Sequence, residues 1–243
     1  MRNIIYPTIG ILILLLIWQL LAAAIGMAWL LPPPASVVVS LIDNAPLLAH
    51  HSLYTIAEAL IGLAASTVLA CLIAFIMSLL PLVRKICYPL LLISQMIPII
   101  VLAPLFLIWF GYGMLPKILV VVLICFFPIA INMIVGLSAA DEQMLLFYRS
   151  LGASRGQLLR LIRLPLALPY FFSGLRIAAA YSIMGAVIGE WLGAQSGLGL
   201  LLTRAQRAFD LPLVLAAIIV IILLSCLLFA IIKIFEKKFS PAS

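Results

Sequence analysis

The chain has 243 residues, of which 67% are hydrophobic and only 9% charged, with a formal net charge of +7. Soluble domains run about 45–50% apolar and about 25% charged, so a water-soluble fold of this length could not bury so much apolar surface. A soluble enzyme is excluded. No charged residue occurs in 3–42, 59–83, 86–116, 118–140 or 211–232. Each gap can hold the roughly 20 apolar residues that carry a helix across about 30 Å of hydrocarbon. The composition predicts an all-α, polytopic membrane protein. Its basic residues sit in short loops between apolar runs rather than on one soluble face, so they speak for membrane topology and against nucleic acid.

The first predicted span covers 7–29. Arg2 precedes it, and Ala22-Ala23-Ala24 resembles a signal-peptide cleavage site. The apolar run continues to Leu31, well past a signal core of about 7–15 residues, so a retained helix is expected. Segment 30–52 follows, with Pro32-Pro33-Pro34, Asp43, His50 and His51, and reads as an outer loop. Adjacent histidines on a helix point about 100° apart and make a poor metal pair, so they are expected to be solvated at the interface.

Spans at 53–80, 86–110 and 117–137 come next. Gln95, Met96 and Pro98 in the third and Asn132 in the fourth are the polar or helix-breaking candidates for a translocation path, with Pro98 and Pro104 expected to do no more than kink their helix. The fifth span, 166–191, contains Arg176, open to either structural pairing or substrate contact. Glu190, at its outer end beside Gly189, is a candidate gate residue or else an interfacial partner for Arg204 or Arg207. Gly193, Gly197 and Gly199 permit a turn or re-entrant backbone in 192–210, and the last span is 211–235. No repeat divides the chain, so a single transmembrane domain over 1–243 is expected. Cys71, Cys87, Cys125 and Cys226 lie singly in apolar runs, as small buried hydrophobes do.

Charge sets the orientation. Arg2, Arg84, Lys85, Arg149, Arg155, Arg160, Arg163, Lys233, Lys237 and Lys238 fall on one side, against Lys117, Arg204 and Arg207 on the other. The positive-inside bias places both termini in the cytoplasm. Trp29, Trp109 and Trp191 then lie at outer helix ends, where amphipathic rings favour the headgroup layer.

The segment 138–165 carries the strongest signal. Met144, Leu145, Phe147, Tyr148 and Leu151 form an apolar face at helical spacing, with Asp141 and Glu142 in the first turn. Ser154 can cap a second short helix through Leu158, Leu159 and Ile162, which Pro165 is expected to stop, fixing where the fifth span begins. Gly152 joins the two, suited to positive φ or close backbone approach.

Gly152, nine residues, then Ile162-x-Leu164-Pro165 resembles the later part of the "EAA" signature of ATP-binding cassette (ABC) importer permeases. Ala167-Leu168-Pro169 and Gly174-Leu175-Arg176 are similar to that family too. So are Pro98…Ala103-Pro104-Leu105…Trp109-Phe110-Gly111-x-Gly113, Phe126-Phe127-Pro128-Ile129…Asn132…Gly136 and Gly189-Glu190-Trp191, which resemble its sulfonate, taurine, nitrate and thiamine-precursor branch. The positions matching Glu-Ala-Ala hold Leu146, Phe147 and Tyr148, so the acidic anchor is missing there.

The resemblance implies a core over about 53–235 and a cytoplasmic coupling helix between the fourth and fifth spans. Phe147, Tyr148, Leu151, Gly152, Ala153, Ser154, Leu159, Ile162, Leu164 and Pro165 would form the ATPase-coupling segment, with Phe147, Leu151 and Leu159 inserted in the ATPase groove. It implies a second copy of the chain, two ATPase subunits, an extracytoplasmic solute-binding protein and a bacterial cytoplasmic membrane with its lipid. No GxxxxGK[ST] occurs, so ATP and magnesium belong to the partner subunits and this chain is expected to need no cofactor and to be no enzyme. The solute expected is a small organic molecule, a thiamine-precursor pyrimidine first, with sulfonate, taurine, nitrate or another heterocycle as the alternative. A self-sufficient secondary transporter would need midplane carboxylates and repeated halves, which the sequence does not display.

Overall fold

The computed structural model describes residues 2–191 and 193–239, and among these every regular element is helical. The order is α1 (Arg2–Ile25), α2 (Pro34–Asp43), α3 (Ala45–Leu79), α4 (Pro81–Ser94), α5 (Ile99–Phe110), α6 (Met114–Leu137), α7 (Glu142–Ser150), α8 (Arg155–Leu158), a π-turn (Leu159–Arg163), α9 (Leu164–Glu190), α10 (Leu198–Arg207) and α11 (Leu211–Phe239). Among the described residues, five helical stretches are long and apolar enough to cross a membrane, and α4 with α5 makes a sixth candidate bent by 97°.

Packing fixes how the bundle is threaded. Lys117 at the start of α6 meets Glu58 in the first half of α3, while Met77 and Leu137 share a cluster at their far ends, so α3 and α6 run parallel. The chain must therefore return between them, and α4–α5 is a broken crossing rather than a re-entrant loop. Helix α9 runs antiparallel to α6, with Ala167 against Gly136 and Gly189 against Lys117. Helix α11 reverses again, joining Val214 to Val187 and Glu236 to Arg176. Two ends result: a hairpin end carrying α7 and α8, and an opposite end carrying α2 and α10.

Helices α3, α6 and α9 form the centre, sharing Ala59, Val121, Cys125, Ile129, Ala179 and Ile183. Without a hydrophobic drive between helices in lipid, close backbone approach does the work, and small residues permit it. A Cβ at Gly174 would lie 2.5 Å from the Pro128 carbonyl, and one at Gly62 2.5 Å from Val121 Cβ. The outer surfaces of α1, α4, α5 and α11 present Leu14, Leu90, Ile108 and Leu223 without cover from the chain itself.

Four expectations need correction. The third span is not a kinked helix but two helices separated at Gln95–Pro98; Pro98 removes a donor and disfavours helical backbone at Ile97, whereas Pro104 stays inside α5. Segment 30–52 is mostly helix, not loop: α3 has 35 residues, about 50 Å at 1.5 Å each, and projects well beyond the hydrocarbon layer. Asp141 precedes α7 as its N-cap, accepting Gln143 N–H at 3.1 Å, instead of sitting in the first turn. Pro165 stops nothing. The π-turn, closed by the Leu164 N–H on the Leu159 carbonyl, widens the helix just before the proline, and the helical stretch runs on from Arg155 to Glu190.

Candidate functional site

At the hairpin end, α7 terminates in a Schellman motif. The Ala153 N–H bonds the Tyr148 carbonyl at 3.0 Å and the Gly152 N–H bonds the Arg149 carbonyl at 2.9 Å, with Gly152 at φ +86°. Backbone handedness rather than close approach accounts for this glycine, because an added Cβ meets nothing within 4 Å. Ser154 then opens α8 with a reciprocal capping box: its Oγ accepts Gln157 N–H and its own N–H donates to Gln157 Oε1 at 2.8 Å.

The hairpin has two faces. Leu145, Leu158 and Ile162 pack together with Ala153 beside them, and Leu159 and Leu164 pack on Met77 and Leu137 at the ends of α3 and α6. Leu159 thus turns part of its side chain toward the bundle of its own chain. Phe147 and Leu151 are 60% and 68% exposed, beside exposed Leu146 and Tyr148. Pro165 is also exposed.

Halfway through the bundle, Gln95, Met96 and Pro98 occupy the break, all exposed, Met96 at 75%. Ile99 packs against the cluster that Ala103 forms with Val120 and Ile124 of α6. Asn132 is not brought to them: its Nδ2 donates to the Pro128 carbonyl of its own helix at 2.8 Å, beside Gly174.

The opposite end holds a polar cluster that the sequence only half revealed. Three successive N–H groups at the start of α10 each find a side chain: Gly197 donates to His51 Nδ1 at 3.0 Å, Leu198 to Thr55 Oγ1 at 2.9 Å and Gly199 to Glu190 Oε2 at 2.6 Å. Thr55 in turn donates to Glu190 Oε1 at 2.7 Å. Helix N-termini leave such donors orphaned, and a carboxylate there also meets the positive end of the dipole. Glu190 is fully buried and pairs with neither Arg204 nor Arg207. His51, expected to be solvated, is only 4% exposed, while its neighbour His50 faces outward against Tyr54. Beside this cluster Lys117 Nζ meets Glu58 Oε1 at 2.5 Å, and Glu58 Oε2 is buried without a hydrogen-bond partner. Thr55 and His51 were missed because only a contact more than 130 positions away gives them a role. Arg176 resolves to structural pairing, with Nη1 3.0 Å from Glu236 Oε2.

A bundle of five long apolar helices and one broken apolar pair, with a capped helical hairpin at one end, is the architecture of a multi-pass membrane protein. The chain belongs to the family of binding-protein-dependent transport system inner membrane components, which it matches over residues 66–241. It is 42% identical over 236 residues to the formylaminopyrimidine transport permease protein ThiX of Halalkalibacterium halodurans, covering 97% of this chain and 94% of that protein. Identity is 34% to the riboflavin transport system permease protein RibX of Chloroflexus aurantiacus, over 96% and 89% of the two chains. It is 31% to the taurine transport system permease protein TauC of Escherichia coli, over 87% and 79%. The resemblance drawn from the 138–165 segment therefore holds: this is an ABC importer permease of the sulfonate, taurine and thiamine-precursor branch.

Proposed function

We propose that the chain forms the translocation pathway of an importer for a thiamine-precursor pyrimidine of the formylaminopyrimidine type. The observation that carries the solute class is the 42% identity to a formylaminopyrimidine permease along 97% of the chain. The relatives named for riboflavin and taurine stand lower, at 34% and 31%. Two copies of the chain enclose the pathway. Irregular backbone at membrane depth is tolerated where it is covered by protein or lines a wet cavity, and the break at Gln95–Pro98 is open on the single chain. A second copy closing over it would supply both conditions.

The hairpin end faces the cytoplasm, as the distribution of Lys and Arg requires. Two ATPase subunits dock there, each receiving Phe147, Tyr148 and Leu151 in a groove, and carry the ATP and magnesium. Closure of the ATPase pair moves the two hairpins as rigid levers, since Gly152 and the Ser154 capping box lock each one. A solute-binding protein delivers its ligand at the opposite end, onto a surface that the Glu190 cluster holds in place. Calorimetry on the binding protein that stimulates this permease tests the solute. Tight binding of formylaminopyrimidine, with taurine and riboflavin silent, is expected; the reverse ranking refutes the solute and leaves the family intact.

A further inference from the structure

We propose that the hairpin end carries a binding site for the phosphate headgroup of an anionic phospholipid, built from Arg149, Arg155 and Arg163. These three line one cavity of about 220 Å³ between the end of α3, the start of α4 and the hairpin, together with Leu79, Pro81 and Leu158. That is below the roughly 300 Å³ at which small-molecule pockets begin, a size for a headgroup rather than a nucleotide.

The fold brings the three guanidinium groups to one cavity from three elements. Arg155 opens α8 and Arg163 closes the π-turn, while Arg149, in the last turn of α7, lies four residues after buried Leu145. Phe147 points about 200° around α7 from Arg149, so the arginines do not share the exposed apolar face proposed for the ATPase. No carboxylate lines the cavity, and among the described residues none pairs with any of the three. Glu142, the acidic residue on α7, lies two turns away, about 10 Å along the axis. Arg163 is held in place, its Nη1 donating to the Ser78 carbonyl at 3.4 Å and to Ser78 Oγ at 3.3 Å. That contact accounts for one arginine only; Arg149 and Arg155 stay without a counter-charge.

The cavity lies where α3 leaves its apolar stretch and α4 begins, with Arg84 and Lys85 in the next turn. On the positive-inside orientation, that boundary falls at headgroup depth. Apolar Leu79, Pro81 and Leu158 beside the cations match the glycerol and first methylenes of a lipid, which neither a free phosphate nor a partner's carboxylate would use. Basic pockets between helices at this depth favour anionic headgroups. A lipid there would tie the hairpin to the bilayer surface, whatever the transported solute.

The test is native mass spectrometry of the full chain in neutral detergent, titrated with phosphatidylglycerol or phosphatidylcholine. Phosphatidylglycerol should be retained preferentially, and the R149Q/R155Q double variant should lose about thirtyfold in retention, about fivefold per arginine. R149K/R155K keeps the charges and should retain the lipid, which separates loss of the site from misfolding. The R84Q/K85Q variant should change retention by less than about threefold. Equal retention of the two lipids, or an equal loss in R84Q/K85Q, would overturn the site. Displacement of phosphatidylglycerol by excess inorganic phosphate would make the occupant a soluble anion and overturn the lipid. Weakened ATPase capture by R149Q/R155Q with lipid retention unchanged would assign the arginines to the ATPase instead.

Discussion

Glu190 Oε2 accepts the backbone N–H of Gly199 at 2.6 Å, so a residue at the end of α9 closes the turn on the helix that begins eight positions later. With Thr55 and His51 it ties α10 to α3 and α9 through three consecutive backbone donors. A Cβ at Gly197, whose φ is +123°, would overlap the Glu190 carboxylate. Carboxylate and glycine therefore form one device: the backbone comes close because nothing projects from it.

Removing the carboxylate leaves buried donors unpaired. Hydrogen bonds to charged groups are worth about 1.5–3 kcal/mol. Glu190→Ala should cost about 3 kcal/mol and Glu190→Gln about half as much, because one acceptor oxygen survives. Thermal unfolding in detergent gives the ranking, and hydrogen exchange at Gly197–Leu201 should rise first. Unchanged exchange there with lost transport would make Glu190 a residue of the pathway rather than of the scaffold.

The Lys117–Glu58 pair predicts a strong asymmetry between single and double variants. Breaking a buried pair costs about 3–5 kcal/mol, whereas replacing both partners by apolar groups is often neutral. Lys117→Ala should destabilise by that amount, and Lys117→Met combined with Glu58→Leu should recover most of it. A double-mutant cycle checks this; additive losses would mean that the two side chains do not depend on each other.

Gly152→Val should act on the hairpin alone. A left-handed conformation costs a residue with a Cβ roughly 1–2 kcal/mol, and a β-branched one more. Space is not the obstacle, since nothing lies within 4 Å. Gly152→Asn, which tolerates that conformation, should therefore keep ATPase co-purification near normal while Gly152→Val weakens it. Equal behaviour of the two variants would contradict a role for φ.

Gly174→Ala should destabilise by about 1–3 kcal/mol, because its methyl would press on the Pro128 carbonyl across the α6–α9 seam. Gly10→Ala on α1, where nothing lies within 4 Å, is the control and should be neutral to stabilising by up to about 1 kcal/mol, since alanine favours a helix over glycine. Matched Tm shifts in the two would count against close backbone approach at Gly174.

The crossings and the hairpin were legible because each rests on local signals: a charge-free apolar run, or a glycine and serine at fixed offsets from an apolar face. Cap and turn chemistry at Ser154 and Gly152 needs only neighbours in sequence. The break at Gln95–Pro98 was not legible, since Pro98 and Pro104 carry the same local penalty and only packing decides which one interrupts the helix. The same holds for Pro165, where the π-turn supplied room that the sequence does not announce. His51 and Thr55 looked like ordinary interfacial residues, and Glu190 like a rim carboxylate, because their partners lie on a helix far along the chain. The orientation of Leu159 toward α3 and α6 likewise follows from the π-turn, which rotates the stripe read from a regular period.

On the proposed function, this chain conducts solute only when its hairpin is driven by a separate ATPase. The direct measurement is uptake of labelled formylaminopyrimidine into proteoliposomes holding this chain, its ATPase and its binding protein, with Phe147→Asp/Leu151→Asp as the uncoupled control. The prediction is uptake that requires all three proteins and ATP and is lost in the control, in which the permease still inserts. Uptake driven by an ion gradient without the ATPase, or undiminished uptake in the Phe147→Asp/Leu151→Asp variant, would contradict it.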